Sequence, residues 1–122
     1  MFIHLNTHSM YSEMSGLIPL KKLIQLSKVS GMGSLALTDV NCLSGFINFV
    51  KYCNSMEVKP IAGTNLVTKD EDIIVLVENQ IGYENLCRII SKLHDNANQK
   101  ASDMIITYSS GLFILTENYS VL

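Results

Sequence analysis

The sequence predicts an α/β domain with a mainly parallel sheet, its elements in the order β-α-β-α-β-β-α-β. Three observations lead there. Short apolar runs alternate with stretches of helical periodicity along the chain. Helix punctuation falls where that alternation needs it, with Pro19 ahead of one periodic stretch and Gly31 and Gly33 behind it. The 122 residues are 48% hydrophobic and 16% charged, which suits one globular domain with a real core.

The elements follow in order. FIHLNT (2–7) alternates and reads as a strand, and residues 8–18 read as a loop. Leu20, Leu23, Ile24 and Ser27 mark one face of the first helix. SLALTD (34–39) is a short apolar run ending in Thr-Asp, which suits a buried strand. Asn41 is placed to cap the next helix, whose apolar stripe reads Leu43, Phe46, Ile47, Val50 and Cys53. KPIAGTNLVT (59–68) is a third strand, with Pro60 near its start. KDED (69–72) reads as a solvated turn and IIVLV (73–77) as a fourth strand. Residues 81–94 form a third helix with Leu86, Ile89, Ile90 and Leu93 inward and Glu84–Arg88 as an i, i+4 pair. NANQKASD (96–103) reads as polar connection and GLFILT (111–116) as a last strand. ENYSVL after it builds no further element, as expected of a piece of a longer fold.

Composition removes several function classes. The net charge is −2 and the nine basic residues are scattered, so no nucleic-acid platform is expected. Cys42, Cys53 and Cys87 are odd in number and lack a C-x-x-C spacing, so reduced thiols and a cytoplasmic setting are expected. His4 and Asn6 interrupt any signal-like apolar run, and no stretch reaches the roughly 20 apolar residues of a membrane span.

In parallel α/β folds, functional side chains gather at the carboxyl ends of strands. That places Asn6 and His8 after the first strand, Asp39, Val40 and Asn41 after the second, and Thr64 and Asn65 in or after the third. His, Asp and Glu converging there would hold divalent metals for phosphoester hydrolysis. Here the convergent pair is His8 and Asp39; asparagine is a poor metal ligand and valine is none.

At these residues the chain resembles the PHP (polymerase and histidinol phosphatase) domain found at the amino terminus of bacterial DNA polymerase III alpha subunits. FIHLNTHSMYSEMSGL is similar to the opening motif, which in metal-competent members reads H-L-H-x-H-S-x-Y-S-x-x-D-G. LALTDVNCLSGFINFVKYCNSMEVKPIAGTNL resembles the L-T-D-H-G stretch, its helix and the K-P-I-x-G-x-E strand. IGYENLCRIIS is similar to the G-Y-x-N-L segment, and SSGLFILT to the E-G-L-I-x-L-S strand. Four ordered segments at matching spacing carry the resemblance over residues 1–122, read as a partial PHP domain of a much longer polymerase chain.

The resemblance implies the leading part of a distorted seven-stranded (β/α) barrel. It also implies a reduced metal site. Ligand positions fall on Asn6, His8, Ser15, Val40, Asn65 and, near the fourth strand, Asp72; His4 and Asp39 flank them. Only His8 and Asp72 among the six offer ordinary ligand atoms. Some members with such sites serve as platforms contacting the separate proofreading exonuclease subunit, which together with the rest of the alpha chain is an implied partner. The reading is therefore a structural and interaction module in DNA replication, with no catalytic residue, no cofactor and no direct nucleic-acid or membrane contact. The alternative is a metal-dependent phosphoesterase or 3′–5′ exonuclease using zinc or manganese with a reduced ligand set. A small stand-alone α/β interaction protein is a third reading.

Local explanations suffice for several other residues. Thr38-Asp39 can end a strand and cap the next loop. His94 suits a helix carboxyl end. Tyr83 and Asn85 read as packing and backbone-binding residues, and Tyr11 and Met14 read equally as a contact surface or as cover for the barrel mouth. An unclosed parallel sheet leaves an apolar edge and face open, so the isolated chain is expected to be poorly soluble or to self-associate.

Overall fold

The computed structural model describes residues 5, 20–68, 71–96 and 100–116. The strand expected over 2–7 lies outside the described residues apart from Leu5. The elements are α1 (Leu20–Val29), β1 (Ser34–Leu37), α2 (Phe46–Ser55), β2 (Lys59–Val67), β3 (Asp72–Val77), α3 (Gln80–Asp95), α4 (Ala101–Thr107) and β4 (Leu112–Leu115). They build one sheet in the order β1-β2-β3-β4.

β1 and β2 pair in parallel, β3 runs against β2, and β4 runs against β3. Three of the four strands therefore point the same way, with β3 reversed. The fold class holds as a mixed α/β unit whose strand directions are mainly parallel, although two of its three pairings are antiparallel. The physical reason is connection length. Only four residues separate β2 from β3, too few for the crossover that parallel strands need, whereas β1 reaches β2 through α2.

Side-chain alternation gives the sheet two faces. On one, Leu35 and Leu37 pack with Ile24, Phe49, Cys53 and Val58 under α1 and α2. Further along the same face, Leu66, Ile73 and Val75 pack with Leu86, Ile89, Ala101 and Ile105 under α3 and α4. Burying one such Leu, Ile or Phe contributes about 1.5–3 kcal/mol. Burial pushes the Cys53 thiol up to about 11, so it stays protonated at neutral pH. The opposite face carries Ile61, Gly63, Asn65 and Val67 of β2, Ile74 and Leu76 of β3, and Phe113 and Leu115 of β4.

Five expectations need correction. Residues 96–103 are not all connection, because α4 begins at Ala101 and buries Ala101 and Ile105. Its start is made in trans. Glu71 accepts from the N–H groups of Ala101 at 2.7 Å and Ser102 at 3.3 Å, so this residue of the turn is a helix cap, not a solvated charge. Asn41 does not cap α2; Gly45 occupies that position. The α2 stripe is also rotated from the expected one. Phe49 is fully buried, Ile47 is 67% exposed, and Leu43 packs into the α3 side of the core. The Glu84–Arg88 pair is replaced by Arg88 donating to Asn85 Oδ1 at 3.1 Å.

Candidate functional site

β1 loses regular pairing after Leu37, but its register survives. Leu37 pairs with Ala62, and the same offset returns at Val40, which bridges Asn65. Thr38 and Asp39 lie between, both buried. Asp39 O accepts from Asn65 N–H at 3.1 Å and from the Thr64 hydroxyl at 2.6 Å; that hydroxyl also lies 3.2 Å from Cys42 O. Buried backbone acceptors past a strand end need such partners. Thr64 supplies one from the neighbouring strand.

Asn41 then turns the chain away with φ +52°, a left-handed conformation that Asn tolerates better than most residues. It sits where the family stretch L-T-D-H-G has glycine. Its side chain compensates further. Nδ2 donates to Val67 O and Oδ1 accepts from Val67 N–H, both at 2.8 Å, while its own N–H donates to Asn65 O at 3.0 Å. The carboxamide thus mimics one more backbone rung beside β2. His94 Nε2 approaches Asn41 O at 2.9 Å, tying the end of α3 to the same loop. Asn41→Ala is expected to cost roughly 2–3 kcal/mol, from left-handed strain and two lost bonds. Asn41→Gly is expected to cost less than Asn41→Ala, because glycine removes the strain and loses only the bonds. Equilibrium urea unfolding of both variants checks the order.

Of the site positions read from the sequence, His4, Asn6, His8 and Ser15 lie outside the described residues. The structure brings Val40 and Asn65 together as one rung. Asn65 is 6% exposed, and its buried Oδ1 has no hydrogen-bond partner among the described residues. Asp72 pairs with Val67, two positions nearer the strand end than Asn65 and on the same face, and is itself exposed. Among the described residues no three His, Cys, Asp or Glu side chains converge as a metal centre needs. Val40 offers only methyl groups and Asn65 a neutral amide oxygen. Neither is an ordinary ligand for a divalent metal.

A second constellation joins the turn before β4 to α3. Asn79 caps α3, its Oδ1 accepting from Gly82 N–H at 3.0 Å. Gly82 lies flat against Gly111, which has φ +76°. Asn85 Nδ2 donates to Ser110 O at 3.0 Å. The Tyr83 ring meets Phe46 at 5.6 Å, bridging α3 and α2. Burial first, then the Cys87 thiol, raises the Tyr83 hydroxyl above its ordinary value, so it remains neutral. IGYENL therefore reads as a docking lock. Beside it lies a depression of about 250 Å³ lined by Phe46, Ala62, Val77, Asn79, Gln80 and Tyr83. That is smaller than the roughly 300–1,000 Å³ of ordinary ligand pockets.

Sequence reasoning named Thr64 and Asn41 but missed the bonds from Thr64 to the loop after β1 and from the Asn41 side chain to β2, and it missed Glu71 as a cap. An asparagine a few residues past a strand end was the available signal for Asn41. Nothing in KDED distinguishes Glu71 from its acidic neighbours.

Comparison with known proteins matches residues 4–121 to the family described as PHP domain. The alpha subunit of DNA polymerase III from Escherichia coli K12 is 32% identical over 94% of this chain and 11% of its own length. The corresponding subunits of Vibrio cholerae and Buchnera aphidicola are 30% and 37% identical, over 94% and 76% of this chain. The chain thus spans about a tenth of these relatives. Among solved structures, an amidohydrolase from Chromobacterium violaceum superposes with a TM-score of 0.62 at 18% identity, over 76% of this chain and 33% of its own. A putative metal-dependent phosphoesterase from Bifidobacterium adolescentis gives 0.52 at 15%, over 89% and 43%. These two likenesses concern the fold. Among the described residues no helix is long and apolar enough to cross a membrane.

Proposed function

The chain belongs to the PHP domain family, and from that premise we propose that it is the amino-terminal PHP segment of a DNA polymerase III alpha subunit, serving as a structural and contact platform with an inactive metal site. The supporting observation is the Val40–Asn65 rung. Where the family pattern has histidine and glutamate, this chain pairs an isopropyl group with a buried neutral amide. Nucleotidyl transfer then belongs to parts of the parent chain beyond this segment. The rest of the alpha chain and the separate proofreading exonuclease subunit are its partners, the cytoplasm is its compartment, and the isolated chain associates with itself.

The competing reading is a zinc- or manganese-dependent phosphoesterase or exonuclease. It would need Asp39 and Asp72 to supply what Val40 and Asn65 lack. Titrating the 122-residue chain with zinc and manganese by calorimetry, with elemental analysis of the purified protein, separates the two. The platform reading expects no stoichiometric metal and no release of phosphate from a phosphomonoester or of nucleotide from a 3′ end. One bound metal per chain together with either cleavage would overturn it.

A further inference from the structure

α4 is lightly held. It has seven residues, against the roughly 12–15 at which an isolated helix begins to be stable in water. Lys100 occupies its N-cap position and makes no side-chain cap bond. Ala101 and Ile105 are its buried residues, and Ile106 is 78% exposed. At its far end, Lys92 of α3 lies 5.9 Å from the centre of the Tyr108 ring. Its amino end is bound by the Glu71 carboxylate, through the N–H groups of Ala101 and Ser102. The Thr68 hydroxyl, 3.4 Å from Glu71 Oε1, steadies that carboxylate in turn.

The chain on either side of α4 is anchored without it. α3 ends with Asn96 N–H donating to Lys92 O. After α4, Ser110 O accepts from Asn85 Nδ2, and Gly111 O accepts from Glu78 N–H at 2.8 Å. Gly82 lies against Gly111, and β4 begins at the next residue, paired with β3. Residues 101–109 therefore run between two fixed points. Displacing them breaks no strand pairing and neither anchor. A segment with few buried apolar contacts and few bonds to its surroundings opens at low free-energy cost.

We infer that α4 is a strap that opens on its own, with Glu71 as its latch. Opening uncovers part of the cluster that Ala101 and Ile105 share with Leu66, Ile73, Leu86 and Ile89, while the sheet and α3 stay in place. The latch lies thirty residues ahead of the strap, just before β3. How often the cluster is uncovered is therefore set from outside α4, by one carboxylate at the far end of the β2–β3 link.

Native-state hydrogen exchange on the 122-residue chain, over a series of low urea concentrations, is the test. In the unaltered chain, the Ile105–Tyr108 amides are expected to be roughly tenfold or more less protected than Leu86–Ile90 of α3, with exchange that hardly responds to urea. Glu71→Ala is expected to speed the α4 amides by a further factor of about ten to a hundred, because two bonds to a charged acceptor are lost, and to leave α3 unchanged. Glu71→Gln, which keeps a neutral acceptor, is expected to fall between the two. Lys100→Ala is expected to match the unaltered chain. One protection and one urea slope shared by α4 and α3 would overturn the strap. Glu71→Ala leaving α4 unchanged, or speeding α3 as much as α4, would overturn the latch.

Discussion

Gly82→Ala is expected to destabilise the chain by roughly 3 kcal/mol or more, a large share of the 5–15 kcal/mol that holds a typical domain together. A Cβ at this position would be driven into the Gly111 carbonyl, 2.6 Å from its carbon. That carbonyl cannot simply swing away, because it accepts from Glu78 N–H at 2.8 Å. Gly111 is pinned as well by its φ of +76°. Relief would require α3 to move off the turn, breaking the Asn85–Ser110 bond and loosening Leu86 and Ile89 beneath. Equilibrium urea unfolding followed by circular dichroism reads the effect. Glu84→Ala, exposed on the same helix, should stay within about 0.5 kcal/mol. A Gly82→Ala midpoint close to that control would mean the contact is not as tight as described.

Phe49→Ala is expected to cost about 3–5 kcal/mol, the range for emptying a fully enclosed aromatic site. Phe49 sits among Ile24 of α1, Leu35 and Leu37 of β1, Cys53 of α2 and Val58 in the link before β2, which cannot all close on the void. Ile47→Ala, two residues earlier and largely exposed, should change stability by a few tenths of a kcal/mol. The pair is a direct measurement of the rotational phase of α2. Equal costs at both positions would place the helix in a different orientation against the sheet.

That phase shows where sequence reasoning ran out. Periodicity located α2 and its neighbours well, since α1, α3 and the strands from residue 34 onward fall within one to three residues of their expected bounds. It misassigned the buried side of α2 because Leu43 and Ile47 continue the same spacing as Phe46, Val50 and Cys53. Only the turn at 41–45 shows that Leu43 belongs to another part of the core. α4 was invisible for a related reason. ASDMIIT is short, polar at its start, and begun by a carboxylate from thirty residues earlier. The face of β2 bearing Asn65 was legible from alternation, and so was its proximity to Val40 from strand order. The orphaned amide oxygen was not, because it depends on what surrounds the side chain in three dimensions.

β2 is divided along its length. Lys59 to Ala62 bond to β1, and Gly63 to Val67 bond to β3. The two halves lie under separate hydrophobic clusters, and the Phe46–Tyr83 ring pair joins α2 to α3. Such an arrangement is expected to open as two cooperative units threaded on one strand. Thermal fluctuation can open the α1–β1–α2 unit while the β3–α3–α4–β4 unit persists, so a single global unfolding free energy understates how often the Val40–Asn65 rung is broken. The rung sits at the seam between those units, and a partner that bound across it would couple two otherwise separable equilibria into one.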